Sequence, residues 1–313
     1  MSEHLLHPFP GLRPAPGAAA DVAAPPYDVV SFDEAAAMAD GRPWSFLHVS
    51  RPEIDLPPGT DSHADEVYAK GASNLAAMIE AGVLIRDEAP SYYVYRIIMG
   101  DHSQTGLVAA TPVDAYLKNI VRKHEFTRPD KEDDRVRQID EVDAQTGPVL
   151  VVHQPQPAIS AILKEVTAKD PTYDVTQPDG VRHIVWAVTV PADVQRVADA
   201  YAPVDVLYIA DGHHRSAAAA RVAALREGRD GVTDAHERFL IVAFPTDELY
   251  ILDYNRVIKD LNGLSEEAFL ARVNEAFDVT PASAPARPAR QHEFGMYIGG
   301  AWYALLIKSA PGS

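Results

Sequence analysis

The feature that most constrains the fold is the segment 207–228, with the sequence LYIADGHHRSAAAARVAALREG. A short apolar run leads to an acidic residue and Gly212, and an alanine-rich segment follows directly. This order predicts a strand, a tight turn and a helix, because glycine permits the turn and alanine has the highest helix propensity. His213, His214 and Arg215 then occupy the first turn of the predicted helix.

These three side chains oppose the electrostatics of a helix start. The first amide N–H groups of a helix have no intrahelical partner and carry partial positive charge, so each added cation costs typically about 0.3–1 kcal/mol. A bound anion would reverse this penalty, and phosphate suits it because Arg215 can bind phosphate in a bidentate manner. Gly212 would let the backbone approach such a ligand closely, and Asp211 can cap the helix, hold Mg²⁺ or accept a proton.

Two other interpretations of this motif stay open. In the first, Asp211 is only an N-cap, His213 and His214 are partly buried polar residues, and Arg215 is a solvated surface charge. In the second, the two histidines form a metal site. The metal interpretation is disfavoured, because adjacent helical residues point about 100° apart and the chain has neither an HExxH motif nor a cysteine.

A second charged segment, RKHEFTRPDKEDDRVR at 122–137, predicts a loop followed by a surface or cleft-lining helix. Basic side chains suit nucleotide phosphates, and carboxylates suit a magnesium ion. The alternative is a solvated, salt-bridged face. The basic members are Arg122, Lys123, His124, Arg128, Lys131, Arg135 and Arg137, and Glu125, Asp130, Glu132, Asp133 and Asp134 alternate with them.

A third candidate is APPYDVVS at 24–31. Two prolines preset an extended turn and would present Tyr27 and Asp28 rigidly, as substrate contacts. The alternative is a turn with only a structural role.

Net charge and composition exclude several classes of function. The chain has 313 residues, a formal net charge of −17 and no cysteine. The length allows two ordinary domains, and the negative charge argues against nucleic acids and anionic membranes as partners. Without cysteine there is no disulfide, thiolate metal site or cysteine nucleophile. Since neither a signal peptide nor an apolar run of membrane-spanning length is found, we expect a cytoplasmic protein.

Hydrophobic patterning predicts an α/β chain with mixed sheets, of the α+β kind, rather than a regular doubly wound fold. A helix is expected over 61–84, with Val67, Leu75, Met78, Ile79 and Val83 on one face. Segments 91–99 and 107–117 predict a hairpin with a loop of several residues. Further strands are expected at 148–154, 181–190, 204–210, 238–245 and 249–255. Further helices are expected at 191–202 and 264–277, and a Pro/Ala linker at 280–291 precedes two short strands.

We divide the chain into three regions. Residues 1–148 form an N-terminal α/β region with PPYD and HEFTRPDKEDDR, residues 149–278 carry IADGHHR, and residues 279–313 comprise the linker and the start of a β region. The last residues resemble a strand that stops abruptly, so we expect a fragment of a longer chain.

Several motifs in order resemble the bacterial and archaeal family catalogued as domain of unknown function 1015. They are PPYDVVS, AGVLIRDEAPSYYVYR, HEFTRPDKEDDR, LYIADGHHRSAAA and DYNRVIKDLNGL, and they cover essentially the whole chain. Members of that family usually continue well beyond the end of this chain.

IADGHHR also resembles the signature of the ParB/sulfiredoxin-like group, in which this element binds nucleotide phosphates at a helix start. The resemblance implies a ParB/sulfiredoxin-like nucleotide-binding core around DGHHR. Sulfinic-acid repair is excluded because the cysteine it needs is absent, and the charge of −17 argues against ParB-type DNA binding. The closer enzymatic relatives of this group are free serine kinases, whose aspartate corresponds to Asp211. Glu125 is the candidate for their catalytic glutamate.

The resemblance implies a kinase that phosphorylates free L-serine to O-phosphoserine with ATP or ADP and Mg²⁺. Glu125 would be the general base, Asp211 would hold Mg²⁺ or orient the hydroxyl, and Tyr27 and Asp28 would contact the substrate. The expected phosphate ligands are Gly212, His213, His214, Arg215, His124, Lys131 and Arg135. A non-catalytic nucleotide-binding regulatory protein and a phosphate-ester hydrolase stay open as alternatives, as does a homodimer.

Overall fold

The computed structural model describes residues 4–229 and 233–308. The chain divides into two compact units, residues 1–250 and residues 251–313. All the candidate site residues belong to the first unit.

The first unit combines a large sheet with helices. Its strands are β1 (Leu12–Pro14), β2 (Leu84–Arg86), β3 (Tyr92–Met99), β4 (His102–Pro112), β5 (Val121–Arg122), β6 (Val149–His153), β7 (Tyr173–Thr176), β8 (Arg182–Val188), β9 (Leu207–Asp211) and β10 (Arg238–Pro245). Its helices are α1 (Ala19–Val22), α2 (Phe32–Ala39), α3 (Leu47–Ser50), α4 (Asp65–Glu80), α5 (Val113–Leu117), α6 (Pro129–Val142), α7 (Pro157–Thr167), α8 (Pro191–Tyr201) and α9 (His213–Arg226). Short 3₁₀ helices span Pro52–Asp55, Asp234–Glu237 and Thr246–Glu248.

Eight strands form one mixed sheet in the order β5-β9-β6-β10-β4-β3-β8-β7. The pairs β5–β9 and β6–β10 are parallel, and the other neighbours are antiparallel. The sheet combines strands from both sides of residue 148, and the division of the chain into three regions stays a prediction. β1 and β2 form a separate antiparallel pair.

The helices α6 and α9 pack against each other through small side chains. Ala218 of α9 is fully buried, and with Val222 it contacts Val136 of α6, while Ile139 packs against this cluster. The alanine run allows the backbones to approach closely, and this packing brings the two charged segments of the sequence into one region. A larger apolar core lies between the sheet and its helices, with Val94, Leu107 and Val151 fully buried.

The second unit contains one helix, α10 (Glu266–Ala276), and the strands β11 (Phe277–Ala282), β12 (Glu293–Ile298) and β13 (Ala301–Ile307) within its described part. The strands form an antiparallel sheet in the order β11-β13-β12. The Ser265 hydroxyl caps α10 by accepting a hydrogen bond from the Ala268 N–H at 3.2 Å.

The mixed α/β class is confirmed, and strands are present at eight of the predicted positions. They are β3, β4 (over the first part of its predicted segment), β6, β8, β9 and β10, and the two short strands after the linker, β12 and β13. The helices predicted at 61–84, 191–202 and 264–277 are α4, α8 and α10, with shorter bounds. Val67, Leu75 and Met78 are buried as expected, whereas Ile79 is 44% exposed because the buried stripe of α4 is narrower than predicted.

Four details of the prediction are wrong. The hairpin has a two-residue turn, Gly100–Asp101, since Met99 pairs directly with His102, and residues 113–117 are the helix α5. Residues 249–255 form no strand, because their backbone finds no partner strand among the described residues. β11 occupies the start of the predicted linker, where Pro281 is tolerated because β11 is an edge strand.

Within residues 4–229 and 233–308, no helix has both the length and the apolar character required to cross a membrane.

Candidate functional site

The turn from β9 into α9 leaves the start of the helix uncapped. Gly212 is the N-cap residue, with φ 95° and ψ 29°, and no side chain of residues 4–229 or 233–308 accepts a hydrogen bond from the first-turn N–H groups. Asp211 therefore does not act as the helix cap, which was one interpretation of the sequence. The free N–H groups at this end of α9 can bind an anion.

Arg215 turns back toward the end of β9. Its Nη2 donates to Asp211 Oδ2 at 2.5 Å, and its Nη1 donates to the carbonyl oxygen of Pro148. The Arg215 side chain is 20% exposed, whereas the Asp211 side chain is 67% exposed. Arg215 is therefore not the solvated surface charge of the alternative interpretation, since Asp211 offsets its charge at the uncapped helix start.

His213 is a buried imidazole with one unused nitrogen. Burial, and next the neighbouring His124, lower the pKa of His213 below the ordinary value of 6.5, so its neutral form predominates near pH 7. Its Nδ1 lies 3.7 Å from Glu125 Oε2. Its Nε2 is buried and has no hydrogen-bond partner among the described residues.

The loop 123–128 lies against this end of α9. The His124 ring meets the His213 ring edge-on, with 4.4 Å between centroids. The backbone N–H of Arg128 donates to His214 Nε2 at 3.1 Å, although the two residues are 86 positions apart. His214 therefore already has a hydrogen-bond partner in the folded chain. The conflict with the helix dipole is thus smaller than the sequence suggests, because burial favours the neutral form of His213 and Asp211 pairs with Arg215.

The PPYD turn approaches the same charged region through Tyr27. The guanidinium carbon of Arg135 lies 3.9 Å from the centroid of the Tyr27 ring. Burial raises the pKa of Tyr27, and the positive charges of Arg135 and Arg215 partly offset this effect. Arg51 fixes the turn by donating to the carbonyl oxygens of Tyr27, at 3.0 Å, and of Val30. Asp28 is exposed on this turn.

Much of the charged run on α6 is paired locally. Arg135 binds Asp134 at 2.6 Å, and Arg128 binds Asp130 at 2.7 Å. These pairs agree with the salt-bridged face that was the alternative for this segment. Lys131 is exposed near the start of α6.

The protein offers few side-chain ligands for the predicted magnesium ion. In the described parts of the chain, no group of three or more His, Asp or Glu side chains could hold a metal ion. Mg²⁺ in phosphoryl-transfer sites is usually bound by one or two carboxylates together with substrate phosphates. The exposed Asp211 carboxylate fits a magnesium ion of that kind, carried by the nucleotide, and does not fit a cage made by the protein alone.

Three features of the site were missed at the sequence level. Arg51 and the Pro148 carbonyl are far in sequence from the groups they bind, so no local pattern points to them. Phe126 was detectable, because it is the one aromatic residue in a run of charged residues. Its side chain is fully exposed, at 103%.

The fold and the site define a mixed α/β protein with an uncapped helix start. Beside this helix start, Glu125 and His124 lie close to His213. The chain belongs to the family described as "Protein of unknown function (DUF1015)", which it matches over residues 6–312. Comparisons with curated proteins and with solved structures give no significant match.

Proposed function

We propose that the protein is a small-molecule kinase that transfers the terminal phosphoryl group of ATP or ADP to the hydroxyl of free L-serine. The observation that carries the proposal is the contact between loop 123–128 and the start of α9. Glu125 lies 3.7 Å from the buried His213, and Arg128 binds His214 through its backbone. A candidate base thus lies beside an anion-binding helix start, which is the combination that phosphoryl transfer requires. The choice of serine, and of a ParB/sulfiredoxin-like core, follows the resemblance of IADGHHR to the free serine kinases.

The phosphates would bind at the uncapped N–H groups of α9. Gly212 has no side chain to obstruct them, and Arg215 can turn its guanidinium from Asp211 to a phosphate oxygen. Asp211 would then be released for a second role. His124, Lys131 and Arg135 would add positive charge or hydrogen-bond donors around the transferred group, and Tyr27 and Asp28 would contact the acceptor.

In the transfer step, the acceptor hydroxyl oxygen forms a bond to the terminal phosphorus. The bond from that phosphorus to its bridging oxygen breaks, and the shortened nucleotide leaves with the bond's electron pair. Glu125 accepts the hydroxyl proton and passes it to solvent, because its side chain is 62% exposed. Asp211 would hold the nucleotide's Mg²⁺, which supplies neutralising charge to the phosphates.

A nucleotide-binding regulatory protein is the second candidate. The ion pair between Asp211 and Arg215 favours the regulatory protein, because this pair must break before either side chain can bind a ligand. This candidate would bind ATP but form no product.

Two incubations, one with ATP and hydroxyl amino acids and one with phosphoserine alone, distinguish these functions. The protein is mixed with ATP, Mg²⁺ and a panel of hydroxyl amino acids, and phosphoserine and ADP are measured by mass spectrometry. The kinase proposal predicts both products in equal amounts. ATP binding without product supports the regulatory protein. Release of inorganic phosphate from phosphoserine, without any need for ATP, supports a hydrolase.

Two variants test the assigned roles. Glu125→Gln should lower turnover by about 10²–10⁴-fold, the usual contribution of a positioned acid–base group. Asp211→Asn should also lower turnover, because it weakens the proposed Mg²⁺ ligand, and both variants should leave the fold intact. Glu141→Gln is the matched control, because Glu141 is an exposed carboxylate near the other end of α6. Near-normal turnover in either test variant removes that residue from the proposal.

A further inference from the structure

We propose that Phe126 stacks on the base of the bound nucleotide, an inference that rests on the nucleotide site proposed above. Phe126 is fully exposed in loop 123–128, so its ring makes no contribution to the apolar core. Exposing so large an apolar ring to water forgoes the favourable free energy of burial. A ligand that covers the ring would recover this free energy.

The loop is anchored on both sides of Phe126. His124 packs on His213, and the Thr127 hydroxyl donates to Glu132 Oε1. The backbone N–H of Arg128 donates to His214. Two residues of extended chain span at most about 7 Å, so the Cα of Phe126 lies within that distance of the Cα atoms of His124 and Arg128. The backbone of Phe126 is therefore held near the start of α9, and its exposed ring is within reach of a ligand whose phosphates lie there.

The surroundings of the ring favour a nucleobase over a protein partner. His124, Glu125 and Arg128 are all exposed beside it. The buried centre of a protein–protein interface is depleted of charged residues, whereas a nucleotide combines a planar base with charged phosphates. A single aromatic ring among charged and polar groups matches that combination. Stacking on an aromatic ring accepts any base, because every base has a π-face, so ATP and GTP should both benefit.

Isothermal titration measures this effect without relying on turnover. ATP, GTP and inorganic triphosphate are each titrated, at one Mg²⁺ concentration, into the wild type, Phe126→Ala and Phe126→Trp. Inorganic triphosphate carries the charge but no base, so it isolates the contribution of stacking. Leu117→Ala is the control, because Leu117 is another exposed apolar residue of the same unit, 64% exposed at the end of α5.

The inference predicts that Phe126→Ala weakens ATP and GTP binding by about five- to hundredfold and leaves triphosphate binding unchanged. Phe126→Trp should retain wild-type affinity for both nucleotides, and Leu117→Ala should alter neither. An unchanged ATP affinity in Phe126→Ala overturns the inference, and so does an equal loss for ATP and triphosphate. If the wild type binds triphosphate as tightly as ATP, the anion site stands and the base-stacking role fails. If it binds neither, the proposed function fails as well.

Discussion

The substitution Gly212→Ala tests whether the turn into α9 requires glycine. At φ 95° and ψ 29° the backbone lies in a left-handed conformation that costs an alanine about 1–2 kcal/mol. The added Cβ would lie 3.2 Å from the Cα of Val149 and 3.4 Å from Cζ and Nε of Arg215. The Arg215 side chain can shift, but the Val149 backbone belongs to β6 and cannot. Overpacking of this kind adds about 1 kcal/mol or more, so we expect a total destabilisation of about 2–4 kcal/mol.

A second glycine separates the two contributions. Gly180 has φ 82°, and a Cβ there would meet no atom within 4 Å. Gly180→Ala should therefore cost only the conformational part, about 1–2 kcal/mol. The free energy of unfolding of both variants is measured by urea titration followed by circular dichroism. Thermal unfolding should agree, at about 2–4 °C per kcal/mol for a unit of this size.

The destabilisation of Gly212→Ala relative to Gly180→Ala tests the contact with Val149. Equal destabilisation by the two substitutions would show that the contact with Val149 contributes nothing. Wild-type stability in Gly212→Ala would show that the turn does not require a left-handed residue. A greater loss in Gly212→Ala, accompanied by weaker ATP binding, is the expected result, because the displaced Arg215 also belongs to the proposed phosphate site.

Three further predictions concern stability. Burial lowers the pKa of His153, His183 and His213. The unfolded chain therefore binds more protons than the folded chain below about pH 6.5, and the free energy of unfolding should fall from pH 7 toward pH 5. The fall is at most about 1.4 kcal/mol per pH unit for each of these histidines. His153→Gln should make this slope shallower in urea titrations, and an unchanged slope would contradict the assignment. Arg51→Met leaves the buried Glu53 carboxylate without its 2.6 Å partner and should destabilise by about 3 kcal/mol. Adding Glu53→Gln should restore part of that loss, and no recovery would show that the buried charge is not its cause. Arg221→Gln removes exposed ion pairs to α6 and should cost less than about 1 kcal/mol, with an even smaller effect at high salt. A loss of several kcal/mol would refute this view of the α6–α9 surface.

Local patterning was sufficient for most of the secondary structure of the first unit. The strand β9, Gly212 and the helix α9 lie where the sequence predicts them, because each depends on neighbouring residues alone. The segment 249–255 has the composition of a strand but forms none, since a strand also needs a partner that local sequence does not reveal. β11 was missed for the converse reason: β13 supplies the hydrogen bonds that a proline-containing segment would not be expected to form.

The electrostatic conflict at the start of α9 is weaker in the folded chain than the sequence predicts. On the sequence alone, His213, His214 and Arg215 are potential cations without partners at a helix start. In the folded chain burial keeps His213 neutral, the Arg128 N–H binds His214, and Asp211 pairs with Arg215. An anion is therefore not required to relieve repulsion, and its proposed binding rests on the uncapped N–H groups and on the contact with loop 123–128.

The sequence by itself determined the strand–turn–helix at 207–226, the mixed α/β class and the family, because these depend on periodicity, on glycine and on motifs that can be identified along the chain. The tertiary structure alone decided the protonation and pairing of the site residues. It also decided that loop 123–128 meets the start of α9. Those properties depend on burial and on groups that are distant in sequence, and the packing of α6 against α9 brings these groups together.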